Sequence, residues 1–298
     1  MTSKRMIVFS TFVLLGCAGG EIDDSVNPAC GRDSAPLDLR RISMDVNGMT
    51  RTFVMSAPAV PAGTKLPVIV GFHGGSGANV PFVQEAEFEA LAEEQGVITV
   101  YPKAVLVAPN EGEWVLNTGA NAQHDIDFVD SILDTLTENY CVDETRIFST
   151  GYSLGSMFNY EVACQLNHRF AATASFAGTM PISPESCDIE DPMSILHLHS
   201  VDDEIIPYDS DWNWKNWDSV GQMHSIPGLI EAWRDRYSCT EVQETQGEST
   251  QYVAHTGCVG DATVAHYRFD NQGHWWPERI EGTPTPQILW DFFSEHPK

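Results

Sequence analysis

The stretch Arg146-Ile147-Phe148-Ser149-Thr150-Gly151-Tyr152-Ser153-Leu154-Gly155 passes from a strand-like run into Gly-x-Ser-x-Gly, and Leu154 to about Leu166 reads as a helix. Strand, tight turn and helix in that order are what a nucleophile elbow requires. The glycines admit the turn, and the serine hydroxyl is left standing above the end of the strand. Gly and Ser are common in loops, so the motif alone says little; its place between a strand and a helix gives it weight.

A serine hydroxyl is a poor nucleophile until a base takes its proton, and the base needs an acid to orient it. With an elbow of this kind the chain order is serine, then Asp or Glu, then His. Downstream, the strand Ile195-Leu196-His197-Leu198-His199 leads into Asp202-Asp203-Glu204, three acids among which chemistry alone does not choose. His274, in Asn271-Gln272-Gly273-His274-Trp275-Trp276-Pro277 after a further strand, is the expected base. His255, beside a cysteine loop, and His266, within a strand, read as exposed or structural. His197 and His199 share one side of their strand, but no third ligand accompanies them, so they read as satisfied strand histidines rather than a metal pair.

Acyl transfer also needs donors for the oxyanion of its tetrahedral intermediate. The N–H of Leu154, just after the nucleophile, supplies one. The loop His73-Gly74-Gly75-Ser76-Gly77, directly after the strand Leu66 to Phe72, supplies the second through the amides of Gly74 and Gly75, which carry no side chain to block the ligand. His73 precedes the serine and is expected to hold this loop by hydrogen bonds.

Around these motifs strands and helices alternate. Ile42 to Val46 and Thr52 to Met55 flank Asn47-Gly48, a hairpin signal; Val97 to Tyr101 is a strand, and Glu85 to Gln95 reads as a helix with Phe88, Leu91 and Ala92 at helical spacing. Asp125 is placed to cap a helix whose apolar face is Ile126, Val129, Ile132, Leu133 and Leu136. Strands at Ala171 to Phe176, Ser194 to His199 and Thr263 to Phe269 follow, with helices near Leu229 to Tyr237 and Pro286 to Ser294. The alternation predicts an α/β protein, a mostly parallel sheet with helices on both faces, in a single domain.

Lys4 and Arg5 precede an apolar run ending Leu14-Leu15-Gly16-Cys17, the layout of a signal peptide over residues 1–16. Lipidation of Cys17 is preferred to cleavage near Ala18-Gly19-Gly20. Residues 17–37 read as a small, acidic tether and 38–298 as the catalytic domain. Of seven cysteines, Cys17 drops out, and the other six suggest an oxidising compartment; Cys239 and Cys258 bracket a short polar stretch and are expected to pair, while the sequence leaves the other pairings open, with Cys164–Cys187 and Cys30–Cys141 preferred. No cysteine or histidine spacing suits zinc, so no metal and no cofactor is expected. With 42 acidic against 16 basic residues in 298, a formal charge of −26, neither nucleic acid nor an anionic lipid surface is an expected partner beyond a lipid anchor. A monomer is expected.

Taken together, these motifs resemble the secreted polyhydroxybutyrate depolymerase and feruloyl esterase group of α/β-hydrolases, from about Ile42 to Trp290. The residues that carry the resemblance are His73-Gly74-Gly75, Tyr101-Pro102, Asp125 with Phe128, Val142-Asp143, Gly151 to Gly155 with Met157, Arg169 to Ala172, Asp203 with Pro207-Tyr208, and Gly273-His274 with Trp276-Pro277. The resemblance implies that Asp203 is the acid, four residues before the Pro-Tyr, and that an acyl-enzyme forms on Ser153. Ser156, Ser200 and Gln272 stand where the group usually has glycine, which removes no catalytic residue but weakens transfer of a named substrate.

Trp212, Trp214 and Trp217 in a polar loop, with Trp275, Trp276 and Tyr152 beside the expected base and nucleophile, are candidates to contact an ester substrate, including a polymeric one. The competing view is that these rings pin loops and core. An acetylxylan-type deacetylase, a serine peptidase of the same fold and a non-catalytic binding lipoprotein are the alternatives. The last leaves an intact serine, acid, histidine and oxyanion loop without purpose.

Overall fold

Asn47 and Gly48 both take positive φ, 52° and 80°, and fold β1 (Leu37–Val46) back onto β2 (Met49–Ala57). Those angles match the right-handed strand twist, which is why Asn-Gly marks such hairpins. The computed structural model in which this hairpin sits describes residues 27–75, 79–108, 111–187, 189 and 191–298.

Next come β3 (Leu66–Phe72), β4 (Ile98–Pro102), a small ribbon of β5 (Val105–Ala108) and β6 (Glu111–Glu113), β7 (Val142–Tyr152), β8 (Ala172–Phe176) and β9 (Ser194–Ser200). A second ribbon pairs β10 (Trp212–Asn213) with β11 (Gln222–Met223); then follow β12 (Glu241–Gln246), β13 (Thr250–Thr256) and β14 (Val264–Phe269), and a last ribbon of β15 (Arg279–Ile280) and β16 (Thr283–Pro284). The main sheet has ten strands in the order β1-β2-β4-β3-β7-β8-β9-β14-β13-β12. Strands β4 to β14 in that order are parallel, with an antiparallel hairpin at each edge.

Parallel strands covered on both sides carry apolar residues on both faces. In β3, Val68, Val70 and Phe72 enter one core with α3 (His124–Asn139), α4 (Leu154–Gln165) and α5 (Ile226–Arg236). Ile69 faces the other core, built by α1 (Asn79–Ala86), α2 (Phe88–Gln95) and α6 (Thr285–Glu295). The result is an α/β fold in a single domain. The carboxyl ends of β3, β7, β9 and β14 emerge at one edge, where ligands bind in sheets of this kind.

Two local expectations are corrected. The helix read over Glu85 to Gln95 is broken at Glu87, whose φ of 52° ends α1 and lets α2 start at Phe88. Asp125 does not cap α3; Gln123 holds that place, and Asp125 lies buried in the first turn, accepting from Arg51 at 2.7 Å and from the Val115 N–H at 2.9 Å. The guanidinium of Arg51 also lies 4.2 Å over the Phe128 ring. The hairpin β12–β13 has no counterpart in the sequence reading.

Cysteine pairing agrees in all three cases: Cys30–Cys141, Cys164–Cys187 and Cys239–Cys258 are bonded. Cys30 therefore ties the segment before β1 to the start of β7, and Asn27 adds a 2.6 Å bond to the Thr137 carbonyl. The signal sequence and Cys17 lie outside the described residues.

Candidate active site

Ser153 sits between β7 and α4 with φ 55° and ψ −121°, a conformation that side-chain-bearing residues rarely adopt. Its neighbours explain why the turn tolerates nothing larger than glycine. A Cβ on Gly151 would lie 2.3 Å from the Gly155 carbonyl oxygen, and one on Gly155 would lie 2.2 Å from that of Phe72. The Ser153 N–H is held by the Phe176 carbonyl at 2.9 Å.

The structure brings Ser153, Asp203 and His274 together. Ser153 Oγ lies 2.8 Å from His274 Nε2, and His274 Nδ1 lies 2.8 Å from Asp203 Oδ2. A carboxylate can only accept, so Nδ1 carries the hydrogen and Nε2 presents a lone pair to the serine hydroxyl. Asp203 Oδ1 accepts the N–H groups of Ile205 and Ile206, each at 2.8 Å. Burial pushes the Asp203 carboxyl up, but hydrogen bonds from His199, His274 and the Ile206 N–H outweigh it and hold the group well below the usual carboxylate range.

The three consecutive acids divide their work. Asp202 Oδ1 accepts the Gly273 N–H at 2.9 Å, fixing the loop that carries His274; Glu204 is exposed. Two of the three departures from glycine serve the same loop. Ser200 Oγ accepts the Gln272 N–H at 2.9 Å, and Gln272 Nε2 donates to the Trp275 carbonyl at 2.9 Å. In the sheet, Phe269 of β14 pairs with Ser200 of β9, so the loops that carry Asp203 and His274 leave adjacent strands side by side.

Gly74 packs against the elbow, since a Cβ there would lie 3.3 Å from Ser153 Cβ. His73 holds the loop by donating from Nδ1 to the Gly74 carbonyl at 2.7 Å and accepting the Ala104 N–H on Nε2 at 3.1 Å. Burial lowers its pKa to about 4, so it stays neutral as the acceptor role demands. Trp114 Nε1 donates to the His73 carbonyl at 2.9 Å, and Gly112 N–H to the Gly75 carbonyl at 3.1 Å. Leu154 opens α4, where a first-turn N–H has no intrahelical acceptor.

The six aromatic candidates fall into two groups. Trp214 and Trp217 line a cavity of about 400 Å³ with Trp114, Leu116 and Val220. Trp212 packs edge-on against the buried Trp214 at 5.6 Å, and Lys215 lies over the rings of Trp214 and Trp217. Tyr152 lies 5.5 Å from the His274 ring, and Trp276 packs against Phe82, Phe176 and Tyr152. Trp217 and Trp275 are the exposed pair, at 45% and 70%; Trp276 is half-buried and pins the aromatic packing. Among the described residues no group of three His, Cys, Asp or Glu is placed to hold a metal ion.

His199 is a satisfied strand histidine, as the sequence suggests, but its place beside Asp203 was not foreseen: its Nε2 lies 3.3 Å from Asp203 Oδ2. Its spacing of four residues before Asp203 was the available signal.

Comparison with known proteins agrees with this architecture. The Dienelactone hydrolase family profile matches residues 56–218. A probable feruloyl esterase C of Aspergillus niger is 29% identical over 97% of this chain and 98% of its own. A bifunctional acetylxylan esterase/xylanase of Neocallimastix patriciarum is 22% identical over 77% of this chain, which spans 31% of that longer protein. Among solved structures, an acetyl xylan esterase from Aspergillus awamori superposes with a TM-score of 0.67 at 14% identity, covering 86% of this chain and 99% of its own. By its profile match, its fold and its esterase relatives, the chain belongs to the dienelactone hydrolase family and is a carboxylic ester hydrolase.

Proposed function

We propose that the protein is an exported serine esterase that hydrolyses feruloyl-type esters of plant polysaccharide through an acyl-enzyme on Ser153. The observation that carries the reading is the unbroken pair of 2.8 Å contacts from Ser153 Oγ through His274 to Asp203. His274 Nε2 takes the hydroxyl proton as Oγ attacks the ester carbonyl, and Asp203 stabilises the imidazolium that forms. The Leu154 N–H and the amides of Gly74 and Gly75 receive the oxyanion, a contribution of about 10²–10³ in rate per donor. The imidazolium then protonates the departing alkoxide, and a water activated by the same nitrogen releases the acid.

Support for the substrate class comes from the feruloyl esterase relative that aligns along nearly the whole chain. Trp217 beside the 400 Å³ cavity and Trp275 beside the base offer exposed rings for a phenolic acid or sugar. Three disulfides suit an oxidising compartment. Residues 38–298 are proposed as the catalytic domain, 17–37 as a tether, and Cys17 as the lipid-bearing residue of a surface-anchored form.

The test is an ester panel on the purified protein: feruloylated and acetylated xylan, poly(3-hydroxybutyrate), and p-nitrophenyl esters of graded chain length. Release of ferulate with the highest kcat/KM is expected, and Ser153→Ala should abolish all turnover while remaining folded. Preference for acetyl xylan or the polyester would reassign the substrate; turnover by the alanine variant would remove Ser153 from the mechanism.

A further inference from the structure

Behind Asp203 runs a row of buried polar side chains that the triad does not account for. Tyr160 Oη lies 2.7 Å from His197 Nδ1; His197 Nε2 lies 3.2 Å from His199 Nδ1; His199 Nε2 lies 3.1 Å from the Ile206 carbonyl and 3.3 Å from Asp203 Oδ2. All are almost wholly withdrawn from water.

With both imidazoles neutral, donor and acceptor rules give the row one direction. The Ile206 carbonyl and the Asp203 carboxylate can only accept, so His199 Nε2 carries a hydrogen shared between them. A neutral His199 then accepts on Nδ1, which makes His197 Nε2 the donor. His197 in turn accepts on Nδ1, which makes the Tyr160 hydroxyl the donor. Ser175 also hydrogen-bonds the Tyr160 oxygen. Each hydrogen therefore points toward the acid, and each partner holds the next imidazole in the tautomer the acid needs.

We propose that Tyr160, His197 and His199 form a one-directional hydrogen-bond array that aims Asp203 at His274 and draws charge from its Oδ2, which makes His199 a positioning residue for the ester hydrolysis. The inference rests on Ser153, Asp203 and His274 acting as proposed above. Burial keeps His197 neutral, as the row requires. Titratable groups around the array and the triad include His266 of β14, its ring 5.7 Å from that of His197; Tyr208, its ring 6.0 Å from that of His199; Arg268, paired with His199 across the sheet; Asp202 beside Asp203; and Tyr152 against His274, with Glu85 acting on Tyr152.

The consequence is a defined pH effect. Without the His199 N–H, Oδ2 keeps His274 as its side-chain donor and presents more negative charge to it. The imidazolium is then better stabilised, and the base is lost at a higher pH.

The experiment measures kcat and KM for p-nitrophenyl acetate from pH 5 to 9 on the full chain and four variants. His199→Leu is expected to move the acid limb of kcat upward by about 0.5–1 pH unit with KM within about twofold. His199→Gln, whose amide N–H stands near the place of Nε2–H, should return the limb toward wild type. Tyr160→Phe removes a single hydroxyl and should give a smaller upward shift. An unmoved or lowered limb in His199→Leu overturns the array; should that variant fail to fold, Tyr160→Phe decides in its place by the same criterion. Ser153→Ala, run alongside, tests the triad separately: residual turnover there overturns the mechanism whatever the limbs do.

Discussion

Asp202 and Asp203 are adjacent in the chain yet hold the base loop from two directions: Oδ1 of Asp202 accepts the Gly273 N–H at 2.9 Å, and Oδ2 of Asp203 accepts Nδ1–H of His274 at 2.8 Å. One carboxylate fixes the backbone of the loop and the other fixes the ring it carries. Asp202 is exposed and Asp203 buried, so their removal has different consequences.

Asp203→Asn should lower kcat by about 10³–10⁴, because an amide in that place favours the wrong imidazole tautomer. Asp202→Ala should lower it by about tenfold, through a looser His274 rather than a changed one. Steady-state kinetics on a short p-nitrophenyl ester distinguish the two. Equal losses would mean that Asp203 holds no privileged place.

Asp125 and Arg51 form a buried pair in which the carboxylate has no exposed side-chain surface and the guanidinium 4%. Asp125→Ala leaves that cation buried and unpaired, and stability should fall by about 3–5 kcal/mol. Asp130, which also pairs with an arginine, is 40% exposed; Asp130→Ala should cost under about 1 kcal/mol. Urea unfolding midpoints at pH 7 provide the comparison, and similar losses would contradict the burial argument.

Three buried imidazoles, those of His73, His197 and His266, set an acid limit on stability. Burial lowers His73 to about 4 and His266 to about 3, against an ordinary 6.5. Below 6.5 the unfolded chain binds protons that the folded chain refuses, so stability is complete above that pH and falls as pH drops toward 4 and then 3. Asp203, held low in the fold, adds its own loss at still lower pH. Tm recorded from pH 8 to 4 should decline below about 6.5, and His266→Gln should flatten part of the slope. A Tm constant down to pH 4.5 would show that these rings protonate without penalty.

Trp217 is exposed beside the cavity, whereas Trp214 is buried at its wall. Trp217→Ala should raise KM for a feruloylated polysaccharide about 3–10-fold and leave p-nitrophenyl acetate within about twofold, since a stacking contact is lost without disturbing the core. Trp214→Ala should instead lower Tm. Matching losses on both substrates for Trp217→Ala would place that ring in the scaffold.

Much of this was legible in the chain because it rests on local chemistry. The elbow needs glycine at 151 and 155 for the contacts they make, and the Gln272-Gly273-His274 loop follows a strand as the order of groups demands. What stayed hidden depends on distant partners. Glu87 carries no mark of a left-handed conformation, which glycine or asparagine would have signalled. Every residue of β12 is exposed, so the strand Glu241–Gln246 shows no alternation to read. Asp125 looks like a helix cap until Arg51, far away in sequence, claims it. His199 could be numbered four residues before Asp203, but only the strand-to-loop turn reveals that its ring reaches back to the carboxylate.

The 2.2 Å that a Cβ on Gly155 would leave to the Phe72 carbonyl oxygen has a mechanical meaning. At that spacing the end of β3 and the first turn of α4 touch backbone to backbone, with no side chain between them to swing or compress. Ser153 and the loop of Gly74 and Gly75 therefore share one rigid seat. For the hydrolysis proposed above, the oxyanion donors would stand in register before substrate arrives, with no need to draw two separate pieces of the protein together.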